Sequence, residues 1–580
     1  MLIRHVGVRH FRGIKSLDWH VGGPIVCLIG PGDSTKTTVL DAIEFALAPR
    51  WSIPFSDADF YQAKTDNPIC IEVTVGELPE ELICEDRYGL YLRGYRDNEP
   101  IHDDPEDGWE PVITVCLRVG ADLEPRWEVI KDSQPDAKPI PWRDRERLCI
   151  ARLGADVEKH LTWSRGSALS RITGDQTGTG ATLAIANRAA HEAIANASLV
   201  DLQEAAEVAR KAALEFGVKF PALRPGLDTQ SFSVGSGALA LQDAQGVPLR
   251  ATGLGTRRLA ALAVEQTGLG KDAILLIDEI ESALEPHRIR RLLRKLSLDR
   301  SASSARNGTS EVHGQVIMTT HSPTAVVALP VTNLAFVQSA NGTTTIERVA
   351  PAVRDTVQGI VRRLGHALLA RKIIVCEGKT EEALCRVMDD VYAERHQGQN
   401  FACFGVVPVD GEGRTSGPQC ALEFQRLGYG VAYFGDSDQP ISPDRQELES
   451  RGIHVVLWEG NASTEERIAL DLPWHDLQQL VDSAIDEHGE QPVLSAISQR
   501  LGPTIVALGS SLNSWEAKGS SQEGIRRAIG KTAKSAKHGW FKDLNSGEVL
   551  GRIVFQALPR IPQTPLASSL ALIETWVYAE

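Results

Sequence analysis

Apolar and polar positions alternate in short stretches at the start of the chain, the pattern of strands separated by polar turns, and Ile25-Val26-Cys27-Leu28-Ile29 is a compact apolar run ending in a glycine-rich loop. From Thr37 the apolar positions Val39, Leu40, Ile43, Phe45, Ala46 and Leu47 change to the spacing of a buried helix, so the loop joins a strand to a helix. Strand-like stretches at Ile69 to Val75 and Val112 to Val119 extend a sheet-rich lobe to about Leu148. Between roughly 180 and 216 the pattern becomes alanine-rich helix. There Leu199, Leu202, Ala206, Ala209, Ala213 and Phe216 repeat at three-four spacing, a narrow coiled-coil-like seam. Such a seam serves either packing within one domain or self-association.

Strand-like segments return from Phe232, and Ala273 to Ile277 is the most apolar strand of the first half. The turn-rich stretch from Ser301 to Ser310 reads as a surface loop, and Val316 to Thr320 as another buried strand. A second alternating series of strands and helices begins with Lys372 to Cys376, and no internal repeat is evident. The pattern divides the chain into 1–148, a helical 149–225, 226–366, and an α/β region at 367–580.

A chain of 580 residues exceeds one hydrophobic core, and its 42% apolar and 24% charged residues exclude a disordered or fibrous class. The net charge of −15 opposes a uniformly basic nucleic-acid surface, but basic clusters at Arg288 to Lys295, Arg362-Arg363 and Lys531 to Lys542 can form a local path. Nine cysteines at irregular spacing, without a C-x-x-C pair, fit neither a disulfide framework nor a zinc ribbon. The N-terminus reads as a strand, no apolar run reaches membrane-spanning length, and a cytoplasmic protein with reduced thiols and no membrane partner is expected.

The loop Gly30-Pro31-Gly32-Asp33-Ser34-Thr35-Lys36-Thr37-Thr38 has the spacing at which backbone N–H groups and a helix N-terminus receive phosphates. Lys36 is placed to reach the outer phosphates of ATP, and Thr37 to offer its hydroxyl to Mg²⁺. Thr35 stands where a glycine is expected, which crowds the loop or alters its backbone preference. The strand ending in Asp278-Glu279 supplies the matching acidic pair, Asp278 for Mg²⁺ and Glu279 to polarise the attacking water. His321 follows another buried strand and is suited to sensing the terminal phosphate. Gly253-Leu254-Gly255-Thr256 opens a helix of the kind that receives a phosphate across a dimer.

These residues, with Phe11-Arg12-Gly13, resemble the ABC-type ATPases of the SMC-like branch over about 1–366. The resemblance implies two heads sandwiching ATP, with Lys36, Thr37, Asp278, Glu279 and His321 from one subunit and Gly253 to Thr256 from the other.

In the last third, Glu377 ends the strand Ile373 to Cys376 and Glu381 lies one helical turn on, while Asp436 and Asp438 follow the strand at Tyr433-Phe434. Carboxylates on two strand ends of one α/β unit suit hard divalent cations and phosphodiester chemistry. Asp410, Glu412, Glu459 and Glu465 are weaker candidates, and a tail lysine can stabilise developing charge. This region resembles the Toprim fold, which implies Mg²⁺ or Mn²⁺ at Glu377, Asp436 and Asp438, with two metals needing further ligands such as Glu381.

An SMC-like ATPase followed by such a domain resembles the overcoming-lysogenization-defect (OLD) family of nucleases, which includes the nuclease subunit of Gabija antiphage systems. The resemblance implies a helical dimerisation insert at the seam, a homodimer or higher oligomer, DNA as substrate, a site lysine at Lys542 or Lys537, and a helicase-type or other defence partner. The expected activity is ATP-regulated, metal-dependent DNA cleavage. The alternative is an ATP-driven DNA-binding or scaffolding protein that does not cut. Topoisomerase and primase readings are weaker, since Tyr429 and Tyr433 lie in the strand region and no zinc module is evident.

Overall fold

The computed structural model describes residues 1–579 except 98, 155–156, 165–166, 174–178, 216–217, 226–238, 270–271, 302–313, 502–508 and 536–538. The strand expected from Phe232, most of the loop after Ser301, Phe216 of the seam and Lys537 lie outside the described residues. The described chain packs as two compact units. Unit 1 comprises Met1–Cys27, Thr35–Thr320 and Asn341–Thr343, and unit 2 comprises Leu28–Ser34, His321–Ala340 and Thr344–Glu580.

Unit 1 opens with β1 (Leu2–Phe11), β2 (Ile14–His20) and β3 (Ile25–Ile29), followed by α1 (Lys36–Leu47). Next come β4 (Ile69–Gly76), β5 (Glu110–Val119) and β6 (Pro125–Ile130). Strands β2, β1, β4, β5 and β6 pair antiparallel in that order. Because side chains alternate across a strand, register sorts the faces. Val6, Val73 and Val115 lie in one row and Val8, Ile71 and Leu117 in the next, and all six are buried. The opposite face carries His5, Thr74 and Thr114, then Gly7, Glu72 and Cys116, then Arg9, Cys70 and Arg118. One face is thus core and the other polar.

Strand β7 (Ile150–Leu153) precedes two long helices, α2 (Thr179–Asn196) and α3 (Val200–Glu215). The chain then forms α4 (Leu254–Leu269), β8 (Ile274–Ile277), α5 (Pro286–Ser301) and β9 (Gln315–Thr319). Strand β8 pairs in parallel with both β7 and β9, and its four residues are buried. The helical segment therefore does not begin at 149: Ile150 to Leu153 form a strand beside the acidic-pair strand, and regular long helix starts near Thr179.

Helix α3 buries none of its residues, and Leu202 and Val208 are exposed. Leu199, Ala206 and Ala213 are half-buried. Among the described residues the seam is therefore only partly covered by its own chain.

In unit 2, β10 (Leu334–Ala340) and β11 (Thr343–Arg348) precede β12 (Lys372–Cys376), α6 (Lys379–Arg395), β13 (Val406–Asp410), α7 (Ser416–Arg426), β14 (Gly430–Gly435) and β15 (His454–Leu457). The last four strands form a wholly parallel sheet in the order β13, β12, β14, β15. Helices α8 (Thr464–Asp471), α9 (Trp474–His488), α10 (Glu490–Leu501), α11 (Gln522–Ala533), α12 (Leu544–Ala557) and α13 (Pro565–Tyr578) complete the unit. One continuous core joins Ile374 and Phe434 of the sheet to Trp458, Trp515, Trp540, Phe555 and Ile573, so the C-terminal helices share the core of the sheet. After β12 the chain places β13 on one side and β14 on the other, so the order reverses beside β12, the position where open parallel sheets form their ligand crevice.

Candidate functional sites

The glycine-rich loop follows the fully buried β3. Gly30 has φ +149°, and a Cβ there would lie 2.4 Å from the carbonyl oxygen of Val337, so only glycine fits. Ser34 Oγ donates to the Pro31 carbonyl at 2.8 Å, bracing the loop that also holds Gly32 and the exposed Asp33. Helix α1 begins at Lys36, a buried lysine, and Thr37 and Thr38 follow in its first turn. Thr35 adopts φ +64° and ψ +13°, the left-handed conformation a glycine would take without steric cost.

Thr37 Oγ1 donates to Asp278 Oδ1 at 3.2 Å, and Thr319 Oγ1 donates to the same oxygen at 2.6 Å. The backbone N–H of Glu279 donates to Thr319 Oγ1 at 2.8 Å, which fixes Glu279 at φ +45° with its side chain exposed. Asp278 and Thr37 are therefore brought into hydrogen-bond contact. His321 is exposed at the start of a unit 2 segment.

Gly253 precedes α4. A Cβ on Gly255 would lie 2.3 Å from the Ala283 carbonyl oxygen, so this helix start is pressed against the turn after the acidic pair. Arg258, one turn into α4, is buried and donates to the carbonyl oxygens of Asp278, Glu279 and Gly154.

Sequence reading missed a row of alternating charge in unit 1. Arg12 bonds to both Asp59 and Asp41, and Arg152 bonds to Asp41 at 3.0 Å and to Asp278 at 2.9 Å. The row runs Asp59, Arg12, Asp41, Arg152, Asp278. Arg152 gives no motif signal, because its role depends on β7 lying beside β8. Gln62, at φ +56°, lines an open cavity of about 420 Å³ with His10, Lys15, Tyr61, Lys64, Asn67 and Asn341.

The second site lies wholly in unit 2, where Glu377 ends β12 and Asp436 ends β14, on adjacent parallel strands. The N–H of Asp436 donates to Glu377 Oε2 at 2.9 Å, and Tyr433 Oη donates to the same oxygen at 3.4 Å. Glu381 is buried in the first turn of α6, and its Oε2 accepts from Gly378 N–H at 2.9 Å. Thr464, at the start of α8, connects the acids: its N–H donates to Asp436 Oδ1 at 2.7 Å, and its hydroxyl contacts both Asp436 Oδ1 and Glu381 Oε1. Trp458 Nε1–H donates to that hydroxyl at 2.6 Å. The hydroxyl has one proton for two carboxylates, so a second proton or a cation must sit in this cluster.

Burial, then the charge of Asp436, pushes the Glu381 carboxyl well above the usual range. Burial, then Glu377 and Glu465, pushes Asp436 up to about 7. Glu377 is raised chiefly by burial. Each shift expresses the cost of gathering negative charge away from water.

Glu465, the weaker candidate in the sequence, is buried and paired with Lys542, and its Oε2 accepts from Ser463 Oγ at 3.2 Å. Asp438 turns to Lys534, which also reaches Glu466 Oε2 at 3.5 Å. Burial opposes the charge on Lys534, but the hydrogen bond to Asp438 together with Glu466 and Asp436 outweighs it and raises its pKa. Ser437 faces the neighbouring loop, where its Oγ accepts from Ala462 N–H at 3.0 Å. Glu412 pairs instead with Arg363, Asp410 accepts from Glu412 N–H, and Glu459 is exposed. Those three do not join the cluster through any described hydrogen bond.

Among the described residues, the only sets of three His, Cys, Asp or Glu donor atoms within 4.8 Å of one another are in unit 1. The unit 2 acids are therefore gathered but held apart, Asp438 and Glu465 by lysines. As a donor set they fit a hard divalent cation, because all are oxygen donors and the single Thr464 proton leaves one of the Glu381 and Asp436 carboxylates without a positive partner.

A family model described as "AAA domain, putative AbiEii toxin, Type IV TA system" matches residues 132–327, which hold the acidic pair, the helix start at Gly253 and His321. The match marks this part of the chain as similar to an AAA domain. Among solved structures, the SmcHead bound to the C-winged helix domain of ScpA is 14% identical, with 60% of this chain and 98% of that chain covered and a TM-score of 0.35. The SMC head domain from Thermotoga maritima is 14% identical over 60% of this chain and 100% of that one, with a TM-score of 0.28. The Smc head domain with an extended coiled coil, bound to the C-terminal domain of ScpA derived from Pyrococcus furiosus, is 13% identical over 62% and 99%, with a TM-score of 0.34. No curated protein sequence matches the chain. Among the described residues no helix is long and apolar enough to cross a membrane.

Proposed function

We propose that this protein is a divalent-metal-dependent DNA endonuclease of Toprim type, nicking or cleaving under the control of ATP bound by its ATPase domain, in the manner of OLD-family nucleases. The observation that carries the reading is the convergence of Glu381 and Asp436 on Thr464 at the sheet's switch point, with Glu377 tied to the Asp436 N–H and Glu465 and two lysines beside them. A bare structural role would not gather this many carboxylates at the cost their raised pKa values record.

Mg²⁺ or Mn²⁺ would be held by Glu377, Glu381, Asp436, Asp438 and Glu465, and would supply water activation and stabilisation of the leaving oxygen. Tyr433 and the Asp436 N–H orient Glu377, and Thr464 orients Glu381 and Asp436. Lys542 and Lys534 bring positive charge to the rim, where a phosphodiester gains charge as it is attacked.

The ATPase supplies nucleotide binding through Lys36, Thr37 and Asp278, and the exposed apolar face of α3 supplies the contact for a homodimer. Exposed Arg290, Arg291, Arg294 and Lys295 on α5 give DNA a basic stripe. The toxin–antitoxin wording of the matched family accords with a role in antiphage defence. The test is plasmid cleavage with Mg²⁺ or Mn²⁺, with and without ATP. Wild-type nicking with loss in Glu377→Gln and Asp436→Asn supports the reading, and equal nicking by those variants overturns it. DNA binding without cleavage under every divalent cation would favour the scaffolding alternative.

A further inference from the structure

We propose that Cys70, Glu72 and Cys116 form a binding site for a zinc-class divalent ion on the polar face of the antiparallel sheet in unit 1. Cys70 and Glu72 stand on β4, and Cys116 lies directly opposite Glu72 on β5. Cys70 Sγ is 3.6 Å from Cys116 Sγ and 3.6 Å from Glu72 Oε1, and the three donor atoms lie within 4.8 Å of one another. In a tetrahedral zinc site, bonds of about 2.3 Å to sulfur and about 2.0–2.2 Å to oxygen place two sulfurs about 3.8 Å apart and a sulfur and an oxygen about 3.5 Å apart. Both of these separations fall within about 0.2 Å of those edges, and the third, between Cys116 and Glu72, lies within 4.8 Å, so closing on an ion requires movement chiefly along that edge.

Chemistry selects the ion. Two thiolates with one carboxylate are a borderline-soft set, suited to Zn²⁺ and Co²⁺ and poorly suited to the Mg²⁺ of an all-oxygen site. Cys116 is fully buried while Cys70 and Glu72 are half-exposed, which gives a fixed inner ligand and an open approach. Three protein donors leave the fourth tetrahedral position to solvent or an added ligand. Gly7 of β1 lies directly opposite Glu72 and brings no side chain of its own to the approach, while Arg9 of the same strand stands opposite Cys70.

Arg118, directly opposite Cys70, is the competing cation, its own pKa raised by Cys116 and Cys70. A disulfide is the other product this pair allows, but it requires the sulfurs to close to about 2.05 Å between residues that are not directly opposite in register.

The experiment is Co²⁺ titration of the reduced full-length protein in excess Mg²⁺, read by absorption and followed by Zn²⁺ displacement. Thiolate–Co²⁺ charge transfer reports a sulfur ligand, and loss of the band in the Cys70 and Cys116 variants assigns it to this site rather than to the other cysteines. One equivalent of Co²⁺ should develop a near-ultraviolet charge-transfer band that Zn²⁺ abolishes. Cys70→Ser and Cys116→Ser should each weaken binding more than about tenfold. Glu72→Gln should weaken it while keeping the band, Arg118→Ala should tighten it, and Cys403→Ser should change nothing. No charge-transfer band in the folded, reduced protein, or a band that survives Cys116→Ser, overturns the proposal. Rapid oxidation of the pair to a disulfide in the presence of Co²⁺, with no metal retained, also overturns it.

Discussion

Replacing Thr35 by glycine should stabilise the ATPase unit, reversing the usual cost of glycine next to a helix. Thr35 sits at φ +64° directly before α1 and is β-branched. A left-handed conformation costs an L-residue with a Cβ about 1–2 kcal/mol. Glycine removes that cost but loses about 0.5–1 kcal/mol of backbone freedom on folding. The expected net gain is about 0.5–1 kcal/mol. The assay is differential scanning calorimetry, following the transition that ATP shifts, where that gain amounts to a rise of about 1–4 °C. Thr35→Ala is the control, because alanine keeps the Cβ and hence most of the strain. If Thr35→Ala raises the transition as much as Thr35→Gly, or if glycine lowers it, the left-handed backbone is not the source of strain.

The remaining predictions concern unit 2 and the helical face. Asp436 has a folded pKa of about 7, raised above the unfolded value, so its contribution to stability is whole below about pH 4 and is lost as pH rises through 7. Unit 2 should therefore soften between pH 5 and 8 in metal-free buffer. Added Mg²⁺ or Mn²⁺ should raise its melting temperature more at pH 8 than at pH 6, and Asp436→Asn should remove the difference. Lys542→Met should cut metal-dependent nicking at least tenfold while leaving metal-induced stabilisation in place, whereas equal loss of both would make Lys542 a structural partner of Glu465. Leu202→Glu with Val208→Glu should shift sedimentation from dimer to monomer, and an unchanged mass would remove α3 from the interface.

Strand runs and their chemistry were legible where they were local. The loop from Gly30 to Thr38 and the pair Asp278-Glu279 announce themselves, because a phosphate cradle needs consecutive backbone donors and an acidic pair needs one strand end. Glu377 and Asp436 were likewise readable as strand ends of one α/β unit. The burial of Glu465 was not legible, because it follows from the capped start of α8, where Ser463 Oγ accepts from Glu466 N–H and fixes the turn. Arg152 and the Cys70–Cys116 pair were invisible for the opposite reason. Sheet register brings them to their partners across 126 and 46 residues, and no spacing rule reaches that far. The helical boundary failed at Ile150 because four apolar-flanked residues carry too little periodicity to separate strand from helix.

The row from Asp59 through Arg12, Asp41 and Arg152 to Asp278 holds three acids and two bases, so it ends in an acid at each side. An odd row of alternating charge cannot neutralise itself, and its surplus is one negative charge. A cation taken up beside Asp278 draws Asp278 away from Arg152, which leaves Arg152 to Asp41 and lets Arg12 commit more fully to Asp59, three residues from Gln62. The nucleotide's metal would thus be felt at the Gln62 loop as a change of pairing, with no strand having to move.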